Sequence, residues 1–276
     1  MTTSLTVLMD NTSHDSLSSE HGFSCWLRLA DMSILFDTGQ SAGFADNAAA
    51  LGIDLSRTSA IVLSHGHYDH TGGVTTALAL APDATMYMHP SALDTRFSQR
   101  DGRPRSIAMP LASMRAVLDL PVDQVKWVTR PYEISAGVWI TGPVPRQTDF
   151  EDVGGRFFLD KQCRRPDMIE DDLSLWVETP TGLVVILGCC HAGVINTLRH
   201  IETLAGCQRV RGIVGGMHLV HADDNRLNKT VEVLNQYALD FIAPCHCTGD
   251  AAIQHFKTHL TCRVTPARVG WSMPLT

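Results

Sequence analysis

The sequence predicts an α/β chain in which two mixed sheets pack together and are covered by helices. Strand-like runs and helical segments are interspersed through both halves, and at least one run, Ala60-Ile61-Val62-Leu63, is apolar at every position. A strand that reads this way is buried on both faces, which requires a layer on either side of its sheet. No repeat, low-complexity tract or linker divides the 276 residues, so one domain is expected, with an irregular insertion at about 91–131.

The opening third reads as Leu5 to Met9, Cys25 to Leu29 and Ser33 to Phe36, each bounded by turn or polar residues such as Asp10-Asn11 and Asp37-Thr38-Gly39. A short Ala-rich helix is expected from Phe44 to Leu51, and the buried strand from Ala60 follows it. Val74 to Leu80 suits a helix and Thr85 to Met88 a strand. Between Ser91 and Pro131 the pattern supports only one helix, near Ser113 to Leu118. Strand signals return at Val138 to Thr141. Leu173 to Glu178, the turn Thr179-Pro180-Thr181-Gly182 and Leu183 to Leu187 read as a hairpin. Helix Val194 to Leu204, strand Gly212 to Val214, helix Leu227 to Tyr237 and strand Phe241 to Ala243 complete the second half.

A formal net charge of −7 with no basic stripe excludes a nucleic-acid footprint. No window approaches a bilayer span, and the first residues lack the pattern of a signal peptide, so a cytoplasmic chain without membrane contact is expected. Cys189, Cys190, Cys245 and Cys247 stand beside histidines, while Cys25, Cys163, Cys207 and Cys262 are scattered. Reduced thiols fit this usage better than a disulfide framework. There is no P-loop, no GxGxxG fingerprint and no GxSxG elbow.

The chemistry concentrates in Ser64-His65-Gly66-His67-Tyr68-Asp69-His70, directly after the buried strand. Four possible ligands within six residues cannot all escape to solvent, and burying them unpaired is costly. Imidazole and carboxylate suit zinc, iron(II) or manganese(II). Later candidates follow strands: His191 after Cys189-Cys190, His218 in a Gly-Gly-x-His turn, and His246 after Phe241 to Pro244.

This run resembles the HxHxDH motif of the metallo-β-lactamase superfamily, and Asp37-Thr38-Gly39 resembles the superfamily's upstream turn. With Glu20-His21-Gly22, Gly188 to Gly193, Gly215 to Leu219 and Pro244 to Gly249, the chain is similar to the dihydropterin-ribofuranosylaminobenzene-phosphate synthase-like branch. The resemblance implies an αββα sandwich with one or two divalent metal ions, zinc first and iron or manganese as alternatives. It implies that His65 and His67 hold one ion, and that Asp69 and His70 hold the second, completed by His246. The usual middle histidine and Gly-Asp pair are absent, so His191 is expected to supply the missing imidazole and Asp172 a bridging carboxylate. Cys245 and Cys247 are read as thiols behind His246 rather than ligands.

Asp69 and His218 are the expected catalytic pair, orienting water and protonating a leaving group. Glu20, His21 and Arg146 are expected in the substrate pocket. The function expected is metal-dependent hydrolysis of a small phosphoester, lactone or related ester. Transferase chemistry of the dihydropterin type and an iron-dependent redox or sensor role are alternatives. A small molecule is the expected partner, and the sequence leaves the oligomeric state open.

Overall fold

The computed structural model describes residues 3–14, 16–100, 102–206 and 208–275, so Cys207 lies outside the described residues. Two seven-stranded mixed sheets dominate. In the first, Ser272–Pro274, Ser4–Met9, Ser24–Arg28 and Ser33–Phe36 run antiparallel. Ala60–Val62, Thr85–Met88 and Val125–Trp127 then extend it in parallel. In the second, Arg263–Val264, Phe241–Pro244, Val210–Gly215 and Gly182–Leu187 are parallel. Ser174–Thr179, Val138–Ile140 and Tyr132–Ser135 follow in antiparallel order.

Side-chain alternation builds the layers. Ile34 and Phe36 join Leu175, Val177, Val184 and Ile186 in a core between the sheets. Leu35, the residue between them, points outward with Ile61, Leu63 and Met86 against Phe44 and Ala48 of helix Gly43–Ala50 and Val74 and Ala77 of helix Val74–Leu80. On the second sheet, Trp176, Val185 and Ile213 face outward against helices Val194–Leu204, Asp224–Leu234 and Asp250–His259. Both faces of the inner strands are therefore dry, the condition that makes those strands largely apolar, whereas the edge strands are partly exposed. No helix among the described residues is long and apolar enough to cross a membrane.

The segment 91–131, expected to be irregular apart from one helix, is more ordered than that. It holds the hairpin Phe97–Arg100 and Arg103–Ser106, helix Leu111–Leu118 and the strand Val125–Trp127 at the edge of the first sheet. The hairpin pairs with Phe157–Phe158 to form a small third sheet. Arg103-Pro104-Arg105-Ser106 is exposed throughout, so no apolar alternation marks it as a strand. Helix Asp250–His259 has little sequence signal: it buries only Ala252 and Phe256 and so carries a weak apolar stripe.

Parallel strands of both sheets end at one edge, and their C-terminal ends carry the histidine-bearing loops. Gly66 shows how tightly these are packed: a Cβ there would lie 2.2 Å from the Ala92 carbonyl oxygen and 2.6 Å from its Cα. Backbone atoms cannot swing aside. Gly66→Ala is expected to cost at least about 1–3 kcal/mol, read as a lowered thermal midpoint; an unchanged midpoint would contradict this packing.

Candidate metal centre

Each loop is aimed by its strand. Ala60–Val62 delivers Ser64 to His70, Gly182–Leu187 delivers Cys189 to His191, Val210–Gly215 delivers His218, and Phe241–Pro244 delivers His246. His65, His70 and His191 are fully buried, and His67, Asp69 and His246 nearly so.

The tautomers follow from the partners. Ser64 Oγ donates to Asp37 Oδ2 at 2.7 Å, so it can only accept from His65 Nδ1 at 2.9 Å. His191 Nδ1 donates to the Val153 carbonyl at 2.8 Å. Both rings are thereby left with a bare Nε2. Those of His65, His67 and His191 are all buried without a hydrogen-bond partner. The three rings converge, with centroids 4.4 Å apart for His65 and His67, 5.0 Å for His65 and His191 and 5.1 Å for His67 and His191. Burial first, and neighbouring positive groups second, holds all three well below the ordinary imidazole range. They are neutral, as metal ligands must be.

A second set stands beside the first. His70 Nδ1 meets Asp37 Oδ2 at 2.7 Å and His246 Nδ1 meets Asn11 Oδ1 at 3.1 Å, which aims both Nε2 atoms inward, only 3.1 Å apart. Cys189 Sγ lies 3.2 and 3.3 Å from these nitrogens, and Asp69 Oδ2 lies 3.6 Å from each. Donors around one ion at roughly 2.0–2.3 Å stand roughly 3.3–3.8 Å from one another in a tetrahedron. The residues present fit a divalent ion. Without one, the two nitrogens share a proton or oppose lone pairs. Burial would depress His70, but Asp37 and Asp69 outweigh it and raise the ring to about 9.

Cys189 connects the two sets, because its sulfur also groups with the ligand nitrogens of His65 and His191. It stands where the Gly-Asp aspartate was missed in the sequence, and Gly188-Cys189 was the available signal. Asp172 is not placed there. Its Oδ2 accepts from Ala192 N at 2.8 Å, so it braces the loop that carries His191, and burial lifts it to about 6.

Arg146 is likewise a brace: Nη1 and Nη2 donate to the carbonyls of His191 and Met168 at 2.6 and 2.5 Å. Asp172 and Arg146 line a separate cavity of about 420 Å³. Glu20 accepts from Gln40 N, Ser41 N and Ser41 Oγ, and so holds the turn after Asp37. These corrections share a cause: each polar side chain found a backbone partner that a sequence does not show.

His21 does reach the site, with Nε2 3.3 Å from Asp69 Oδ2. His218 lies against His191 at a centroid distance of 4.1 Å, the rings tilted by 42°. Both line a cavity of about 950 Å³, together with His67, Asp69, Cys189 and His246. Phe157 from the third sheet packs on His67, His191 and His218 at 5.5, 5.3 and 6.0 Å.

The comparisons fall on this geometry. The family model for the metallo-beta-lactamase superfamily matches residues 22–160, which contain the histidine run and the loop leading to Phe157. The chain belongs to the metallo-beta-lactamase superfamily. It is similar over nearly its whole length to the solved structure of Tm1679, described as a metal-dependent hydrolase of the beta-lactamase superfamily. Identity is 33%, coverage is 99% of both chains and the TM-score is 0.85. An uncharacterized protein of Methanocaldococcus jannaschii is 30% identical over 90% of this chain and 91% of its own. A second relative from that organism is named as 7,8-dihydropterin-6-methyl-4-(beta-D-ribofuranosyl)-aminobenzene-5'-phosphate synthase. It is 26% identical over 86% of this chain and 84% of its own. Superfamily membership makes the fold metal-dependent; the matched residues hold His65, His67, Asp69 and His70, while Cys189, His191 and His246 lie beyond them.

Two predictions follow from the geometry. Asp171 Oδ2 accepts from Gly66 N at 2.8 Å while Oδ1 pairs with buried Arg96 at 2.5 Å, fixing the backbone between His65 and His67. Asp171→Ala is expected to lower metal affinity about 10–100-fold and to destabilise the fold by up to about 3–5 kcal/mol. Chelator competition and thermal denaturation measure the two effects; unaltered affinity would refute the positioning role.

In the metal-free protein, His70 is raised from 6.5 to about 9, so its contribution to stability is full below 6.5 and is lost as pH rises to about 9. An ion binding its Nε2 must displace that proton. Metal affinity should therefore climb with pH up to about 9, with proton release visible in calorimetry across buffers of different ionisation enthalpy. Equal proton release from a His70→Ala variant would contradict the assignment.

Proposed function

We propose that this superfamily member is a hydrolase that uses metal-activated water on a small phosphoester, lactone or related ester. The observation that carries this reading is the pair of inward-facing Nε2 atoms on His70 and His246, with Cys189 and Asp69 around them at 3.2–3.6 Å. In this reading His65, His67 and His191 hold one divalent ion, Asp69, His70 and His246 hold a second, and Cys189 stands between them in the role expected of Asp172. Zinc is the first choice for such nitrogen, oxygen and sulfur donors, with iron or manganese next. When bound, such ions make water a nucleophile near neutral pH and offset negative charge developing on the substrate.

The chain's own groups divide the remaining work. Asp69, linked to His21 at the mouth of the cavity, orients water. His218 lies on the cavity wall and supplies a proton to the leaving group. Phe157 excludes water from the imidazoles beneath it. The described cysteines are free, which supports a reducing compartment such as the cytoplasm.

A transferase reading is favoured by the similarity to the dihydropterin-linked synthase of Methanocaldococcus jannaschii. The two readings share activation of an electrophile and differ in whether water or a dihydropterin attacks. Elemental analysis followed by a panel of phosphodiester, lactone and dihydropterin substrates separates them. His65→Ala and His70→Ala are each expected to lose metal and at least about a hundredfold in turnover. Full turnover in either variant, or products only with the dihydropterin, would overturn the hydrolase reading.

A further inference from the structure

Cys247 does not behave as packing behind His246. Its sulfur accepts from His218 N at 3.3 Å and contacts the Cys189 carbonyl at 3.5 Å. The ligand atoms of Cys189, His218 and Cys247 all lie within 4.8 Å of one another. Both thiols are buried, and His218 Nδ1 is buried without a hydrogen-bond partner. All three residues line the same cavity.

The backbone is strained to bring them there. Among the described residues, six other than glycine adopt positive φ, and four of them serve this centre: Asp37 at 59°, Cys190 at 60°, His218 at 44° and His246 at 53°. Such conformations cost on the order of 1–3 kcal/mol each and persist where the surroundings enforce them. Three come from the loops that carry Cys189, His218 and Cys247. Backbone hydrogen bonds join those loops: Gly216 N donates to the Gly188 carbonyl at 3.1 Å, and Val220 N to that of Cys247 at 3.2 Å.

We propose that Cys189, His218 and Cys247 form a further metal position on the floor of the cavity, selective for a thiophilic divalent ion such as zinc, cadmium or cobalt. Two sulfurs around one ion at roughly 2.3 Å stand roughly 3.8 Å apart, so side-chain shifts of about an ångström complete the set. Two thiolates and one imidazole leave the fourth direction open to the cavity, the arrangement of a site that can also take a substrate atom. The inference rests on the metal-centre reading and shares Cys189 and His218 with it; with this ion bound, His218 is a ligand in place of the proton donor. It makes the centre richer in sulfur than the histidine run implies, and draws it toward softer ions.

The test uses the reduced, full-length chain stripped of metal and titrated with cobalt(II) under anaerobic conditions. The wild type is expected to show near-ultraviolet thiolate-to-cobalt charge transfer. That band should fall by about half in Cys247→Ser, and cadmium affinity should fall at least about tenfold. Cys245→Ser, whose thiol is outside the set, keeps the wild-type spectrum. His70→Ala loses the neighbouring nitrogen set but keeps the Cys247-dependent intensity, which separates failure of this proposal from failure of the hydrolase reading. Cadmium-113 resonance on the wild type needs no variant to fold, and a signal from a two-sulfur site is expected. A Cys247→Ser spectrum and stoichiometry equal to wild type, or cadmium signals from sites with at most one sulfur, would overturn the proposal.

Discussion

One buried carboxylate organises the rest of the centre. Asp37 is fully enclosed at the end of Ser33–Phe36, where its backbone takes a left-handed conformation. Its Oδ1 accepts from Ser64 N, and its Oδ2 from Ser64 Oγ and His70 Nδ1, all at 2.7 Å. A charge removed from water is costly unless every lone pair is engaged, and these bonds meet that demand. In doing so they set the orientation of two imidazoles of the cluster, His70 directly and His65 through the serine. The fold thus couples solvation of a single acid to the tautomers of the clustered histidines.

That coupling divides the centre into electrically different halves. His65, His67 and His191 have no carboxylate hydrogen-bonded to them, and burial leaves them neutral. His70 sits against Asp37 and beside Asp69, so it holds a proton where a metal would otherwise supply the charge. The first half offers unpaired imidazole nitrogens, whereas the second carries a proton between carboxylates. Cys189 lies between them, its thiol pushed up by burial.

Legibility in the sequence followed the locality of the interactions. The run from His65 to His70 was readable because all its donors leave one strand end, and both layers were readable because their inner strands are dry on both faces. His191 and His246 were readable as histidines following strands. Glu20, Arg146 and Asp172 were misplaced because their partners are main-chain groups 20 or more residues away, which no side-chain pattern records. Cys189 was passed over because the motif it departs from uses oxygen, although its position beside Gly188 marks the same strand end. Arg96 carried no signal in a segment read as irregular, yet its pairing with Asp171 fixes the loop between two histidines.

The chemistry and the selectivity of such a centre are built from different parts of the chain. Donors come from the ends of parallel strands, whose positions the two sheets fix. The cavity walls come from the hairpin within 91–131, the loop 149–157 and the residues following His218. The middle loop is tied to both: Glu151 accepts from Ile195 N and Asn196 N at the start of helix Val194–Leu204, Asp152 pairs with Arg226, and the Val153 carbonyl holds His191. A change of wall sequence there reaches the histidine cluster, because the same loop supplies cavity-lining side chains and the carbonyl that sets the His191 tautomer. The cavity wall and the histidine cluster are therefore physically linked, through Val153 and Phe157.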